Sequence, residues 1–348
     1  MKPAIAFLVI VSLCQACTNN EVPKCNDEPG LRELAEFRIG VSVSPFEIES
    51  NEAYREIVAN QFNCITPGNA FKPDALHPAE GLFSFKEAQS LLAFAAENQQ
   101  DVHGHTLIWH QQLPLWMKNY QGSRHDWIDM MQDHIQNVVK ELSPQVASWD
   151  VVNEAFEDNG DFRETIWFNN IGPEYIELAF EFAHEANGDA LLFYNDYNIA
   201  AKPKKCRAIL DHLSELKSKG VPVHGIGMQL HIYTSSPGQN KIETASEAIA
   251  NEGFLLHYSE VDISINRDGG SVDLTENKLQ NQAERMRFLV ETFHRIPKAQ
   301  RFGITVWGVS DSDSWIPGFF GREDYPLLYD GEYQPKPMYC GFREGLSN

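Results

Sequence analysis

Short apolar runs alternate along the chain with longer stretches in which apolar residues return every three or four positions. The runs FRIGVSVS from Phe37, FNCITPG from Phe62, DVHGHTLIWH from Asp101 and SWDVVNEAF from Ser148 are rich in the β-branched and aromatic residues of buried strands. LLFYNDYN from Leu191, HGIGMQLHI from His224, FLLHYSEVDIS from Phe254 and RFGITVWGVSD from Arg301 complete eight strand candidates. Between them lie helical spacings. Trp127, Met130, Met131, Ile135, Val138, Val139 and Leu142 follow the 3.6-residue period, as do Ile176, Ala179, Phe180 and Ala183. Ile209, Leu213 and Leu216 repeat it and stop at Gly220; Met286, Leu289, Val290 and Phe293 stop near Pro297.

Eight β-then-α units with no linker or low-complexity break predict a single (β/α)8 barrel of the α/β class. A doubly wound sheet is the alternative, but GIGMQL holds only two glycines of a dinucleotide fingerprint. In a barrel, polar groups at the C-terminal strand ends read as functional. Here those ends are GHTLIWH, NEAF, NDYN, QLHI, SEVD and WGVSD.

The N-terminal pattern differs. One Lys precedes an apolar run from Ala4 to Leu13, too short to cross a bilayer and suited to a signal peptide. Ala16 before Cys17, followed by polar TNNE, resembles a bacterial lipoprotein signal. The expected organisation is a signal over 1–17 with Cys17 lipidated, a polar leader over 18–30 and the catalytic barrel over 31–348. The protein is expected to be exported, as an outer-membrane lipoprotein or in periplasmic or secreted form, and to be a monomer touching a membrane only through Cys17. Of the remaining cysteines, Cys25, Cys64, Cys206 and Cys340 allow three pairings. Cys64, inside a strand-like run, reads as a small buried hydrophobe.

With 28 basic and 49 acidic side chains in 348 residues the formal charge is −21, which argues against a nucleic-acid partner. Seven Trp, eleven Tyr and 21 Phe suit a protein that stacks rings on sugars. Neither the cysteine spacing nor the histidines suggest a metal: His105 and His110 are five apart and fall on opposite faces of a regular strand. No cofactor is expected.

SWDVVNEAF raises the chemical question, because a buried strand ends on a carboxylate, Glu154. Glu260 occupies a similar place in another, HYSEVDIS. Two carboxylates at a barrel rim, among aromatics and amides, point to glycoside hydrolysis: one stays protonated as the acid, the other ionised. Asn153 is placed to bond a sugar hydroxyl. Gln229 and His231 share strand parity, as do Glu260 and Asp262, so a histidine held between the two carboxylates would orient and ionise a nucleophile.

In this order, GHTLIWHQQLPLW, WDVVNEAF, NDYN, GIGMQLHI, SEVDI, WGVSDSDSW and PKPMY resemble the signatures of family-10 glycoside hydrolases, the barrel endo-β-1,4-xylanases. The resemblance runs from about Phe37 to the C-terminus. It implies a retaining double displacement on xylan, with Glu154 as acid/base, Glu260 as nucleophile, and His231 and Asp262 holding Glu260. It further implies glycone-side contacts from Asn69, Lys72, His105, Trp109, Gln112, Asn153, Trp307 and Trp315, and cleft contacts from Asn195, Tyr197 and Gln229.

One stretch departs from the pattern. The family's PENEMKW is PGNAFKP here, so Gly68 and Ala70 replace glutamates and Pro73 a tryptophan; His224 stands where Asp is usual. Gly68 loses a contact to the second glycone sugar and is expected to admit a decorated or kinked residue there. The alternatives are a relative tuned to mixed-linkage or decorated β-glycans, or a surface glycan-binding lipoprotein without turnover.

Overall fold

A computed structural model describes Cys25 and residues 28–347. The signal-peptide and Cys17 expectations fall outside the described residues. Nine parallel strands form the sheet: β1 (Arg38–Val43), β2 (Cys64–Pro67), β3 (Asp101–Ile108), β4 (Val146–Asn153), β5 (Leu191–Asp196), β6 (Gly225–Met228), β7 (His231–Tyr233), β8 (Leu255–Ser264) and β9 (Arg301–Val306). Their order, β6-β5-β4-β3-β2-β1-β9-β8, closes through β6 pairing with β8. This is the (β/α)8 barrel, and the doubly wound alternative is excluded.

The four helical spacings form the helices Arg124–Leu142, Tyr175–Ala186, Pro203–Ser218 and Glu276–Arg295. Their periodic faces are buried against the barrel, and side chains cap two of the four starts: Ser123 and Asp126 make a reciprocal capping box at the first, and Thr275 accepts from Lys278 N at the last. Inside the barrel the strands present large rings and, unusually, a polar layer. Asp150 lies 3.1 Å from His103 Nε2 and 2.9 Å from His105 Nδ1, and His103 Nδ1 meets Ser148 Oγ at 2.7 Å. Burial pushes the Asp150 carboxyl up, but the two histidines outweigh it and hold it low. A buried carboxylate paired in this way with two histidines of β3 braces β3 against β4, directly beneath the mouth.

The predicted sixth strand is not continuous. Leu230 adopts φ 58°, which ends β6 at Met228 and starts β7, paired only with β8 through His231↔Asp262, Ile232↔Ile263 and Tyr233↔Ser264. The shared parity expected of Gln229 and His231 therefore does not apply. The left-handed residue between them turns the chain, and both side chains still reach the mouth.

Cys25 and Cys340 form a disulfide, one of the three pairings left open, while Cys64 and Cys206 are free and buried.

Candidate active site

The C-terminal strand ends enclose a cleft of about 790 Å³. Glu154 follows the last residue of β4 with φ 58°, a conformation uncommon for a residue with a side chain. Its amide donates to Asn195 O (2.9 Å) and its carbonyl accepts from Arg163 Nε (2.9 Å). These bonds hold the turn that directs the carboxylate off the strand and into the cleft. There it accepts from Trp109 Nε1 (3.0 Å) and Gln229 Nε2 (3.2 Å), both uncharged donors.

Glu260 sits within β8 and is surrounded differently. Asn195 Nδ2 donates to Oε1 at 2.6 Å and His231 Nε2 lies 3.2 Å from Oε2. His231 Nδ1 is 2.7 Å from Asp262 Oδ2, which also accepts from Trp315 Nε1 (2.9 Å). Burial disfavours a charged His231, yet the two carboxylates prevail and raise it to about 10, so the ring is a cation donating from both nitrogens. For Glu260 burial pushes upward, but the His231 bond and the nearby His105 and His231 outweigh it and lower its pKa. Two carboxylates in one cleft thus have opposite company: neutral N–H groups for Glu154, an imidazolium for Glu260.

Most residues expected at the site line this cleft: Asn69, Lys72, His105, Trp109, Gln112, Asn153, Tyr197, Gln229, Trp307 and Trp315 stand around the two glutamates. Lys72 Nζ donates to Gln112 Oε1 (2.6 Å) and Asn69 Oδ1 (3.1 Å), and lies 5.0 Å from the Trp109 ring centre. Burial lowers its pKa. The rings of Trp307 and Trp315 stand 5.2 Å from His105 and 5.0 Å from His231, so they roof the carboxylates.

One expectation is corrected. Asn195, expected to touch substrate, is fully buried behind Glu260; its oxygen accepts from Ser259 Oγ (2.6 Å), leaving no group for a sugar. Gly227 makes that placement possible, because a Cβ there would lie 2.2 Å from Asn195 Oδ1. His224 lies at the opposite end of the barrel, where Nδ1 accepts from Leu192 N (3.0 Å), and does not bear on the cleft. Asp262 is likewise buried, as its expected role behind His231 requires. Of the three departures in PGNAFKP, Gly68 alone lines the cleft; Ala70 and Pro73 are buried elsewhere.

Pattern reading missed the supports of Tyr197. Arg163 Nη2 donates to its hydroxyl (2.6 Å), and Lys205 Nζ lies 3.9 Å from its ring centre and 2.6 Å from Asp196 Oδ1. Arg163 sits in a loop and Lys205 on a helix, where strand parity says nothing about the rim.

The family model described as glycosyl hydrolase family 10 matches residues 31–344. The chain belongs to glycosyl hydrolase family 10. Endo-1,4-beta-xylanase B of Thermotoga neapolitana is 37% identical over 349 residues, covering 99% of this chain and 97% of that protein. Endo-1,4-beta-xylanase of Geobacillus stearothermophilus is also 37% identical, covering 90% and 98%. Among solved structures, xylanase 10B from Thermotoga petrophila in complex with xylobiose superposes with a TM-score of 0.86 at 37% identity, covering 91% of this chain and 97% of that one. This family-10 chain is therefore a glycoside hydrolase with a complete two-carboxylate cleft.

Proposed function

We propose that the protein is an endo-1,4-β-xylanase that retains anomeric configuration. The observation that carries the reading is the contrast between the two carboxylates. Glu260, bonded to an imidazolium and an amide, is held ionised and is the nucleophile; Glu154, between two neutral donors, is the acid and then the base. In the first step a Glu260 oxygen bonds the anomeric carbon as the glycosidic C–O bond breaks, and the Glu154 proton passes to the departing oxygen. In the second step water attacks the same carbon, giving its proton to Glu154, and the bond to Glu260 breaks. His231 and Asp262 position the nucleophile. Asn69, Lys72, Gln112 and Trp109 hold the glycone, and Tyr197 offers a ring on the leaving side. The xylanases to which the chain is similar support xylan as the substrate.

Reducing-sugar release from a panel of xylans and β-glucans tests this, with NMR of the first product. Release from xylan with the β-anomer appearing first is expected. Greater release from a mixed-linkage β-glucan would reassign the substrate, α-anomer first would overturn the double displacement, and no release from any polymer would favour a glycan-binding protein. We also propose export with Cys17 lipidated. The Cys25–Cys340 bond supports an oxidising destination, and mass spectrometry of the mature N-terminus checks the lipid.

A further inference from the structure

The cleft is not a simple slot. On the side remote from Tyr197 it continues over Gly68 into a lobe walled by two adjacent staves: β1 with Ser42 and its following helix Pro45–Ser50 with Glu47, and the turn after β9 with Asp313. Gly68 keeps the lobe open. Its amide donates to Val43 O (3.0 Å), which draws it against β1, and a Cβ there would stand 2.8 Å from Ser42 Oγ. Any longer side chain would start in the space the lobe now occupies.

The lobe's wall is an ordered polar network outside the catalytic machinery. Asn51 Nδ2 donates to Glu47 Oε2 (3.2 Å) and to the Tyr333 hydroxyl (2.7 Å). Tyr54 lies fully buried beneath, its hydroxyl accepting from Ser44 N (3.1 Å). Asp313 accepts from Ser310 N (3.1 Å), and burial, with Glu47 nearby, pushes its carboxyl up to about 6. Among the described residues neither Glu47 nor Asp313 is paired with a Lys or Arg. Two half-buried carboxylates without a cation, facing a cavity continuous with a sugar cleft, are acceptors suited to hydroxyl donors.

Resting on the xylan-cleaving reading above, we propose that this lobe receives a neutral pentose branch. The branch would be carried by the sugar two places before the cleaved bond, the place the family resemblance gives to position 68. Glu47 and Asp313 accept the branch hydroxyls. The same two carboxylates repel a uronate branch, so the protein discriminates between decorations by charge as well as by size.

The test is kcat/KM on three xylo-oligosaccharides: linear, bearing an arabinofuranosyl branch at that sugar, and bearing a glucuronosyl branch there. The unaltered protein should cleave the first two within about threefold of each other and the third roughly tenfold less well. Glu47→Gln and Asp313→Asn keep an acceptor oxygen for the wall's own bonds. Each should lower the arabinosyl-to-linear ratio by about tenfold and narrow the uronate penalty. Gly68→Glu, which fills the lobe from the other side, should lower the same ratio at least about tenfold even if a wall variant fails to fold. Equal losses on linear and branched substrates in the wall variants would make the lobe a subsite for the unbranched chain. Equal cleavage of uronate and pentose branches would remove the charge argument, and an unchanged ratio in Gly68→Glu would show that no branch passes there; each overturns the proposal. Failure of the unaltered protein on the linear substrate would overturn the xylan reading with it, whereas normal linear cleavage isolates the branch proposal.

Discussion

Glu154 and Glu260 are chemically the same side chain, and their division of labour lies entirely in their neighbours. Removing each should therefore give different signatures. Glu154→Ala should cost about 10²–10⁴-fold on xylan, where the leaving oxygen needs a proton, and far less in the first step on an aryl glycoside with a good leaving group. Glu260→Ala should abolish turnover on both. Equal losses on both substrates would reverse or void the assignment. His231 supplies a second test at this scale. Its bond lowers the Glu260 pKa, so His231→Asn should move the acid limb of the kcat/KM profile to higher pH while a merely structural role would leave the limb in place. The sign for stability follows from the same ring. A histidine raised from 6.5 to about 10 on folding contributes stability that is fully present below about 6.5 and lost as pH rises through 10, and the variant should lack that decline. The pair Glu154 and Glu260 was legible in the sequence because one ends an apolar run and the other interrupts one, and a carboxylate is costly in either place. What separates them was legible in part. Strand parity pairs Glu260 with Asp262 and suggests a histidine between them, but nothing in the pattern shows that Asn195 reaches Glu260 from a strand far away in the chain.

At the level of elements, alternation located all eight staves within a few residues, because buried parallel strands are written as dense β-branched and aromatic runs. It could not locate the break after Met228, since a left-handed Leu230 leaves no mark in an apolar pattern. Nor could it show that the loop after β4 and the helix Pro203–Ser218, itself marked by its spacing, together brace Tyr197 at the end of β5. That helix contributes Lys205, fully buried against Asp196, whose carboxyl burial pushes up to about 7 against the pull of the lysine. Lys205→Met should cost about 3 kcal/mol at neutral pH by leaving the carboxylate without its cation. An acid whose pKa rises on folding binds its proton more tightly in the folded state, so stability falls as pH rises from the unfolded pKa near 4 through the folded one. Losing the lysine raises the folded pKa further. Urea midpoints of variant and parent should therefore lie closer at pH 5 than at pH 8. An equal gap at both pH values would mean that Lys205 stabilises by packing on Tyr197 and not through Asp196.

Across the whole molecule, the barrel closes by strand pairing between β6 and β8, and a covalent bond ties its two chain ends together. Cys25 and Cys340 are 315 residues apart, so the bond restricts nearly the entire unfolded chain. The loop-closure argument gives about 6 kcal/mol for a span of that size. The native state returns part of this. Between Cys25 and the helix Leu31–Leu34 lies a short leader, held also by bonds from Arg343 to the carbonyls of Glu28 and Pro29, and cutting the disulfide would free a few residues at roughly 1 kcal/mol each. A net loss of about 2–3 kcal/mol remains. For a chain of this length the unfolding entropy converts 1 kcal/mol into roughly 1.5–2 °C, so Cys340→Ser should lower Tm by about 3–6 °C. Kinetics at temperatures well below the transition should not change, because neither Cys25 nor Cys340, on the helix Pro337–Leu346, lines the cleft. The control is the parent under reductant, which should fall to the same Tm, whereas reductant should leave Cys340→Ser unmoved. A parent that holds its Tm when the bond is shown by mass to be reduced would mean that the unfolded chain is already too compact for closure of its ends to matter.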